Sequence, residues 1–150
     1  MPNVRSIRSE PAGTTYRALL AFAEGHSGTF SLVWRKQLAF GANADIVRRD
    51  LAPFLDAEGE SDAWPGTKIF GHTAIVRSYR LSPDSVRILA TAERLYAWEA
   101  PERPEDLAFY TPAGRWWLGS IAHERDAFVD TDAVDVARLA AAVTGLRLEK

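Results

Sequence analysis

The chain has 150 residues, the size of one domain, and its 47% hydrophobic and 25% charged residues are typical of a soluble globular protein. The formal net charge of -2 argues against nucleic-acid binding, because nucleic-acid-binding domains usually carry a positive excess. The chain has no cysteine, which excludes disulfides, iron–sulfur clusters, thiolate zinc sites and thiol nucleophiles.

No apolar run approaches the roughly 20 residues that span a membrane, and the N-terminal residues lack the apolar segment of a signal peptide. We therefore expect a cytoplasmic protein without a membrane partner. Arginine far outnumbers lysine and alanine is abundant, a usage typical of GC-rich bacterial genomes. The polar residues 1–13 are predicted to form a flexible lead-in to one globular domain at residues 14–150.

The first half of the chain alternates between helix and strand patterns. Residues 14–24 carry apolar side chains at helical spacing, which predicts a helix, with a strand over 16–23 as the alternative. Alternation of apolar and polar residues predicts a strand over Thr29–Arg35 and a second, short strand over Gln37–Phe40. A second helix should open at residue 43 or 45.

The middle of the chain contains an acidic segment between two regular elements. Pro53 should kink or shorten the second helix, because proline removes a hydrogen-bond donor. The acidic, glycine-containing segment Asp56–Gly66 is predicted to be a loop, and Thr73–Leu81 a strand. Ser82-Pro83-Asp84 predicts the start of a third helix: a cap, a proline in the first turn and an acid near the positive end of the helix dipole.

The last third of the chain predicts a hairpin and a helix. Two apolar runs, Leu107–Thr111 and Trp116–Ala122, flank the turn-forming residues 112–114. A final helix is predicted over Thr131–Leu146. The order of elements favours an α+β fold in a single domain, with an antiparallel or mixed sheet of about four or five strands and helices mainly on one face. A βαβ unit around residues 73–110 is the alternative topology.

The run His123-Glu124-Arg125-Asp126 is the densest polar cluster. A histidine beside carboxylates can act as an acid–base pair, whereas the alternative is a solvated strand end at which Arg125 pairs with its neighbours. The run does not match the HExxH zinc motif, because Ala127 stands where the second histidine is required. The other two histidines are scattered, so we predict neither a metal nor a cofactor.

Two of the five tryptophans are candidates for exposed interface anchors. Neighbouring residues of a strand point to opposite faces, so Trp116 and Trp117 cannot both enter a core on one face. We take Trp116 as core, and Trp117 would be exposed if the second face were open. Trp64 lies in the acidic segment and either projects from it or folds back over the core.

Charged residues cluster by sign along the chain. Acidic residues fill the segment at 56–62, the loop Glu99–Asp106 and the region after the hairpin, and together they could form a patch for a basic partner. Six arginines could instead form a basic face, although surface ion pairing is the simpler explanation: Arg48, Arg49, Arg77, Arg80, Arg87 and Arg94.

Residues 64–130, from WPGTKIFGH through LYAWEAPERPEDLAFY to WWLGSIAHERDAFVD, resemble small stand-alone bacterial proteins and are similar in style to the immunity proteins that neutralise polymorphic toxins. The resemblance implies an α+β interaction module and brings no catalytic set with it.

The leading hypothesis is therefore a non-enzymatic module that binds a protein partner, and an immunity-type inhibitor that occludes a toxin is its specific form. The predicted partner-binding residues are Trp64, Glu102, Glu105, Asp106, Trp117, His123, Glu124, Arg125 and Asp126. The alternatives are a small enzyme that uses His123 with Glu124 or Asp126, and a nucleic-acid-associated protein. A homodimer could also use the exposed aromatic residues.

Overall fold

The computed structural model describes residues 3–150, and the first two residues of the predicted lead-in lie outside that range. In chain order the strands are β1 (Val4–Ser6), β2 (Thr29–Arg35), β3 (Leu55–Ser61), β4 (Ala63–Trp64), β5 (Thr67–Lys68), β6 (Ala74–Arg80), β7 (Glu105–Tyr110), β8 (Trp116–Ile121) and β9 (Asp126–Asp130). The α-helices are α1 (Thr14–His26), α2 (Ala42–Leu51), α3 (Pro83–Leu89) and α4 (Val136–Ala142).

Seven of the strands form one sheet in the order β1-β9-β8-β7-β2-β6-β3, and every pairing in it is antiparallel. Strands β4 and β5 form a separate two-stranded ribbon. The structure thus has the predicted α+β class in a single domain. The predicted number of four or five strands is wrong, because the main sheet has seven.

The strands β1 and β3, which the sequence analysis did not predict, have little alternation of apolar and polar residues. Strand β3 replaces most of the predicted loop Asp56–Gly66, and its side chains are nearly all exposed, so pairing with β6 holds it in place. Residues 4–6 of the predicted flexible lead-in form β1 against β9, and Ile7 behind them is buried. The short strand predicted over Gln37–Phe40 is absent, since these residues form a turn and irregular chain.

Side-chain caps mark the starts of α3 and α4, whereas α1 and α2 begin after glycines without a side-chain cap. The Ser82 hydroxyl accepts a hydrogen bond from the Ser85 amide at 3.1 Å and starts α3, as predicted. Helix α2 ends two residues before Pro53, which lies in a short 3-10 turn. The last helix is shorter than predicted, because the Asp135 carboxylate caps its first turn by accepting from the Arg138 amide at 3.2 Å.

One large core lies between the sheet and all four helices. At its centre the Trp98 indole N–H donates to the Tyr16 hydroxyl at 2.9 Å, and that hydroxyl donates to the Leu89 carbonyl at 2.8 Å. The polar atoms of both aromatic residues are therefore satisfied inside the core.

A second, small core lies under the β4–β5 ribbon and contains Val33, Trp64 and Ala74. Close approach of the ribbon depends on Gly119 of β8, because a Cβ atom there would contact the Phe128 ring and the Pro65 side chain. The ribbon thus fixes the position of the segment that carries Trp64.

Candidate functional site

An irregularity in strand β7 creates the candidate site. The register between β2 and β7 shifts, so that Ser31 faces Ala108 while Val33 faces Glu105, which places one extra residue in β7. Asp106 lies in this bulge with a φ of 57°, in the left-handed region that few residues other than glycine adopt. Bulges redirect side chains, and this one accompanies a buried carboxylate in the middle of the sheet.

The Asp106 carboxylate joins three distant segments of the chain. Its Oδ2 accepts from the Trp64 indole N–H at 2.9 Å, and its Oδ1 accepts from the Ala122 amide at 3.0 Å. The Arg35 guanidinium lies 4.0 Å from Oδ2 and also stacks over the Trp64 ring, 5.2 Å from its centroid. The ribbon, the end of β8 and the end of β2 are thereby held around one buried charge.

Two small clefts open beside this carboxylate, and both are lined by Arg35 and His123. One, of about 280 Å³, is also lined by Glu99 and Glu105; the other, of about 260 Å³, is lined by Lys68 and Glu124 among others. We call the two together the acidic cleft: Arg35, Lys68, Glu99, Glu105, His123 and Glu124.

Glu105 is the most unusual group in the acidic cleft. The residue is 3% exposed, and its Oε2 atom has no hydrogen-bond partner among the described residues. The Nε atom of Arg35 is also buried without a partner. A buried polar atom without a partner is costly, which marks a position where a ligand group could bind.

Burial raises the pKa of Glu105 to about 7, and the neighbouring Asp106 charge adds to the rise, whereas the Ala100 backbone and Arg35 oppose it. Burial also raises the pKa of Asp106, against the hydrogen bonds from Trp64 and Ala122 and the nearby charges of Arg35 and His123. Glu105 is therefore a carboxyl group that exchanges its proton near neutral pH.

This raised pKa predicts how stability depends on pH. Between the ordinary pKa of 4.5 and the folded-state value near 7, the folded protein holds more protons at Glu105 than the unfolded chain. The contribution of Glu105 to the free energy of unfolding therefore falls as the pH rises from 5 to 8. Glu105→Gln should have about wild-type stability at pH 5 and be more stable by roughly 1–3 kcal/mol at pH 8, a range reduced for solvent access through the cleft.

Urea unfolding of both proteins at several pH values measures this difference. Glu102→Gln is the matched control, because Glu102 is an exposed carboxylate in the loop just before β7. A constant difference between Glu105→Gln and wild type from pH 5 to pH 8 would show that Glu105 titrates normally.

The structure brings together the three segments that the sequence analysis singled out. Trp64 bonds to Asp106, the loop from Glu99 lines the acidic cleft, and the run from His123 forms its rim. Glu102 is exposed beside it, and its carbonyl accepts from the Asn43 side-chain amide at 2.8 Å.

The predicted acid–base pair is not joined in the structure. His123 and Glu124 lie exposed in a short 3-10 turn, Arg125 ends that turn with a φ of 52°, and Asp126 opens β9 opposite Ile121. Within residues 3–150 no hydrogen bond or ion pair links the ring of His123 to either carboxylate. His123 instead lines the acidic cleft together with Glu105.

Neither candidate anchor tryptophan presents an exposed ring. Trp64 is 7% exposed, and Trp117 is 1% exposed in the main core. A bulge explains the error at Trp117: Phe109 faces Leu118 while Tyr110 faces Trp116, so Trp117 is an extra residue whose side chain joins Leu118 in the main core. Trp116, which we expected in the core, is half-buried and packs edge-on against Phe128.

The sequence analysis did not predict that Arg35 lines the acidic cleft or that the Phe70 ring is exposed. Arg35 ends a well-predicted strand, and its role depends on partners far away in the chain. Phe70 has 78% of its surface exposed and lies in the loop before β6. The one sequence feature that indicates a loop at this position is the adjacent Gly71, because glycine favours turns.

The six arginines do not form one face. Arg87 pairs with Asp84, Arg94 pairs with Glu10, and Arg80 donates to backbone carbonyls of residues 53 and 55. The remaining three, Arg48, Arg49 and Arg77, line one groove beside α2.

Comparison of the chain with protein-family models, curated proteins and solved structures gives no match. The resemblance to immunity proteins therefore stays a prediction. Within residues 3–150, none of the helices has the length and apolar character needed to cross a bilayer. The same residues contain no group of three or more histidine and carboxylate side chains placed to hold a metal ion.

Proposed function

We propose that this chain is a non-enzymatic protein-binding module and that the acidic cleft is the centre of its binding surface. The observation that carries the proposal is the unpartnered Oε2 atom of Glu105 in the lining of the cleft. A lysine or arginine side chain from the partner would supply the missing donor and would favour the ionised form of Glu105.

The charges around the cleft favour a basic partner. The carboxylates of Glu99 and Glu124 balance the cations of Arg35 and Lys68, and the ionised form of Glu105 adds a negative charge that a cation from the partner would stabilise. Exposed residues at its rim, including His123, extend the surface beyond the cleft itself. An immunity-type inhibitor that occludes the basic active site of a toxin is the specific form of this function that we favour.

Trp64 contributes to this surface as a support. Its indole N–H donates to the Asp106 carboxylate, and its ring stacks against the Arg35 guanidinium. The buried tryptophan therefore positions Arg35, which lines the cleft. Trp117 lies on the other face of the sheet and belongs to the main core. The partner-binding set therefore shifts from the two tryptophans toward the carboxylates of the cleft.

The test is affinity capture of partners by the tagged full-length protein from a lysate of its source organism, read by mass spectrometry. Wild type and Glu105→Gln serve as baits, with Glu93→Gln as the control, because Glu93 is exposed outside the cleft. We expect one stoichiometric partner whose affinity falls at least tenfold with Glu105→Gln and is unchanged with Glu93→Gln. Unfolding would not explain such a loss, since the same substitution should stabilise the fold above pH 7.

A small cationic probe tests the chemistry of the cleft without the partner. N-acetyl-arginine amide should shift the NMR signals of residues 99–106 and of His123, and the uncharged N-acetyl-norleucine amide should not. A captured partner that binds both variants equally, recovery of this chain alone as a homodimer, or equal response to both probes would contradict the proposal.

Acid–base catalysis is the second candidate function, and the pKa of Glu105 favours it. A carboxyl group with a pKa near 7 can give and take a proton at neutral pH, and His123 lines the same cleft. In this version Glu105 replaces Glu124 or Asp126 as the partner of His123. A pKa of Glu105 near 4.5, measured by NMR of the side-chain carboxyl carbon, would remove the basis for this alternative.

A further inference from the structure

A second groove lies on the helix side of the sheet, between α2 and the strands β3 and β6. Its volume is about 700 Å³, and three arginines line it, at positions 48, 49 and 77. A smaller cavity of about 300 Å³ shares Arg48 and Arg77 with it and continues toward the aromatic rings of Trp34 and Phe40. We call the two together the arginine groove.

Two buried groups in the arginine groove, the Tyr79 hydroxyl and the Trp34 indole N–H, lie next to each other without a hydrogen bond of good geometry and have no other partner among the described residues. The Tyr79 hydroxyl belongs to a residue that is 1% exposed, and the Trp34 indole nitrogen to one that is 7% exposed. Burial raises the pKa of Tyr79, against the charge of Arg77 and the Trp34 indole N–H beside its oxygen, so the hydroxyl keeps its proton and can donate. Neither group was part of any site expected from the sequence.

The charge balance of the groove is positive although the whole chain carries -2. The Arg77 Nε atom is 2.6 Å from Glu58 Oε1, which largely neutralises this arginine. Arg48 lies 3.9 Å from Asp45 in an exposed and weak pair, and Arg49 forms no ion pair within residues 3–150. Two arginines on successive residues of α2 are therefore available to an anion.

We propose that the arginine groove binds a small organic anion through a phosphate or carboxylate group. Arg48 and Arg49 hold the oxyanion, since guanidinium groups match its geometry. The apolar part of the ligand lies against Leu55 and Tyr79, and the Tyr79 hydroxyl donates to one of its acceptors. The smaller cavity of the groove shares Arg35 with the acidic cleft, but the oxyanion site at Arg48 and Arg49 lies outside that cleft and does not depend on the proposed function.

The experiment is an NMR titration of the full-length protein with phenyl phosphate and, separately, with benzoate, at constant ionic strength set by chloride. The signals followed are the indole N–H of Trp34 and the Nε–H of Arg77. We expect saturable shifts of both signals with at least one ligand, and the tighter of the two identifies phosphate or carboxylate as the group recognised.

Arg49→Gln should weaken this binding about tenfold, because it removes one charge-assisted interaction. Arg49 is exposed and forms no ion pair with any residue that the structure describes, so the variant should fold, which the dispersion of its amide spectrum checks. Arg94→Gln, at an exposed arginine paired with Glu10, should bind as tightly as wild type. Shifts that also appear with chloride alone, an equal loss in Arg94→Gln, or binding of a single-stranded oligonucleotide but of neither small anion would overturn the proposal.

Discussion

Trp117→Ala should lower the free energy of unfolding by about 3–5 kcal/mol. The ring is almost fully buried, stacks on Phe109 at 5.6 Å and meets Phe22 edge-on at 5.5 Å. Its N–H donates to the Ser27 hydroxyl at 2.8 Å, and that acceptor also loses its partner in the variant. Urea unfolding measures the loss.

Trp116→Ala is the matched control, because Trp116 is the preceding residue of the same strand. Its ring is half-buried on the opposite face, against Phe128, so the loss should be clearly smaller. Phe70→Ala, at a ring that is 78% exposed, should change stability by less than about 0.5 kcal/mol. Equal losses at Trp116 and Trp117 would mean that the bulge in β8 is misplaced.

Asp106→Ala should destabilise the fold by about 3–5 kcal/mol, the range for removing one partner of a buried charge pair. The substitution leaves the Trp64 indole N–H and the Ala122 amide without their acceptor and leaves Arg35 without its nearest carboxylate. It also places alanine at a φ of 57°, where aspartate is better tolerated. Thermal and urea unfolding at pH 7 measure the effect.

Asp106→Asn separates hydrogen bonding from charge. The amide oxygen can still accept one of the two hydrogen bonds, so this variant should lose less stability than Asp106→Ala. The Trp64 fluorescence should change more in the alanine variant, because the indole loses its acceptor there. An alanine variant as stable as wild type would exclude Asp106 as the link between the ribbon and the sheet.

The elements that sequence reasoning predicted are those whose signal is local. Residues 29–35 alternate in polarity and form β2 with the predicted bounds, and Ser82 caps α3 as its side-chain chemistry requires. Strand β3 was missed because a polar edge strand has no buried face to produce alternation. Trp117 was misjudged because one inserted residue moves a side chain to the other face of a sheet.

The candidate site could be predicted only in part, because its contacts join residues that are far apart in the sequence. Glu105 and Asp106 stood among the predicted binding residues as members of an acidic loop, yet the structure has both in a strand and buried. The partners of Asp106 come from 42 residues earlier and 16 residues later in the chain. Such pairings depend on the strand order, which no local pattern contains.

The position of β1 has a consequence for the order of folding. This strand pairs with β9, joining Val4 to Asp130, and Ile7 forms a bridge with Leu148, so the first and last parts of the chain meet at one edge of the sheet. Contacts between residues this far apart in sequence have a large entropic cost of loop closure, whereas the β7–β8 hairpin closes over a short turn at a small cost. We therefore expect the β7–β8 hairpin to form early in folding and β1 to add to the sheet last.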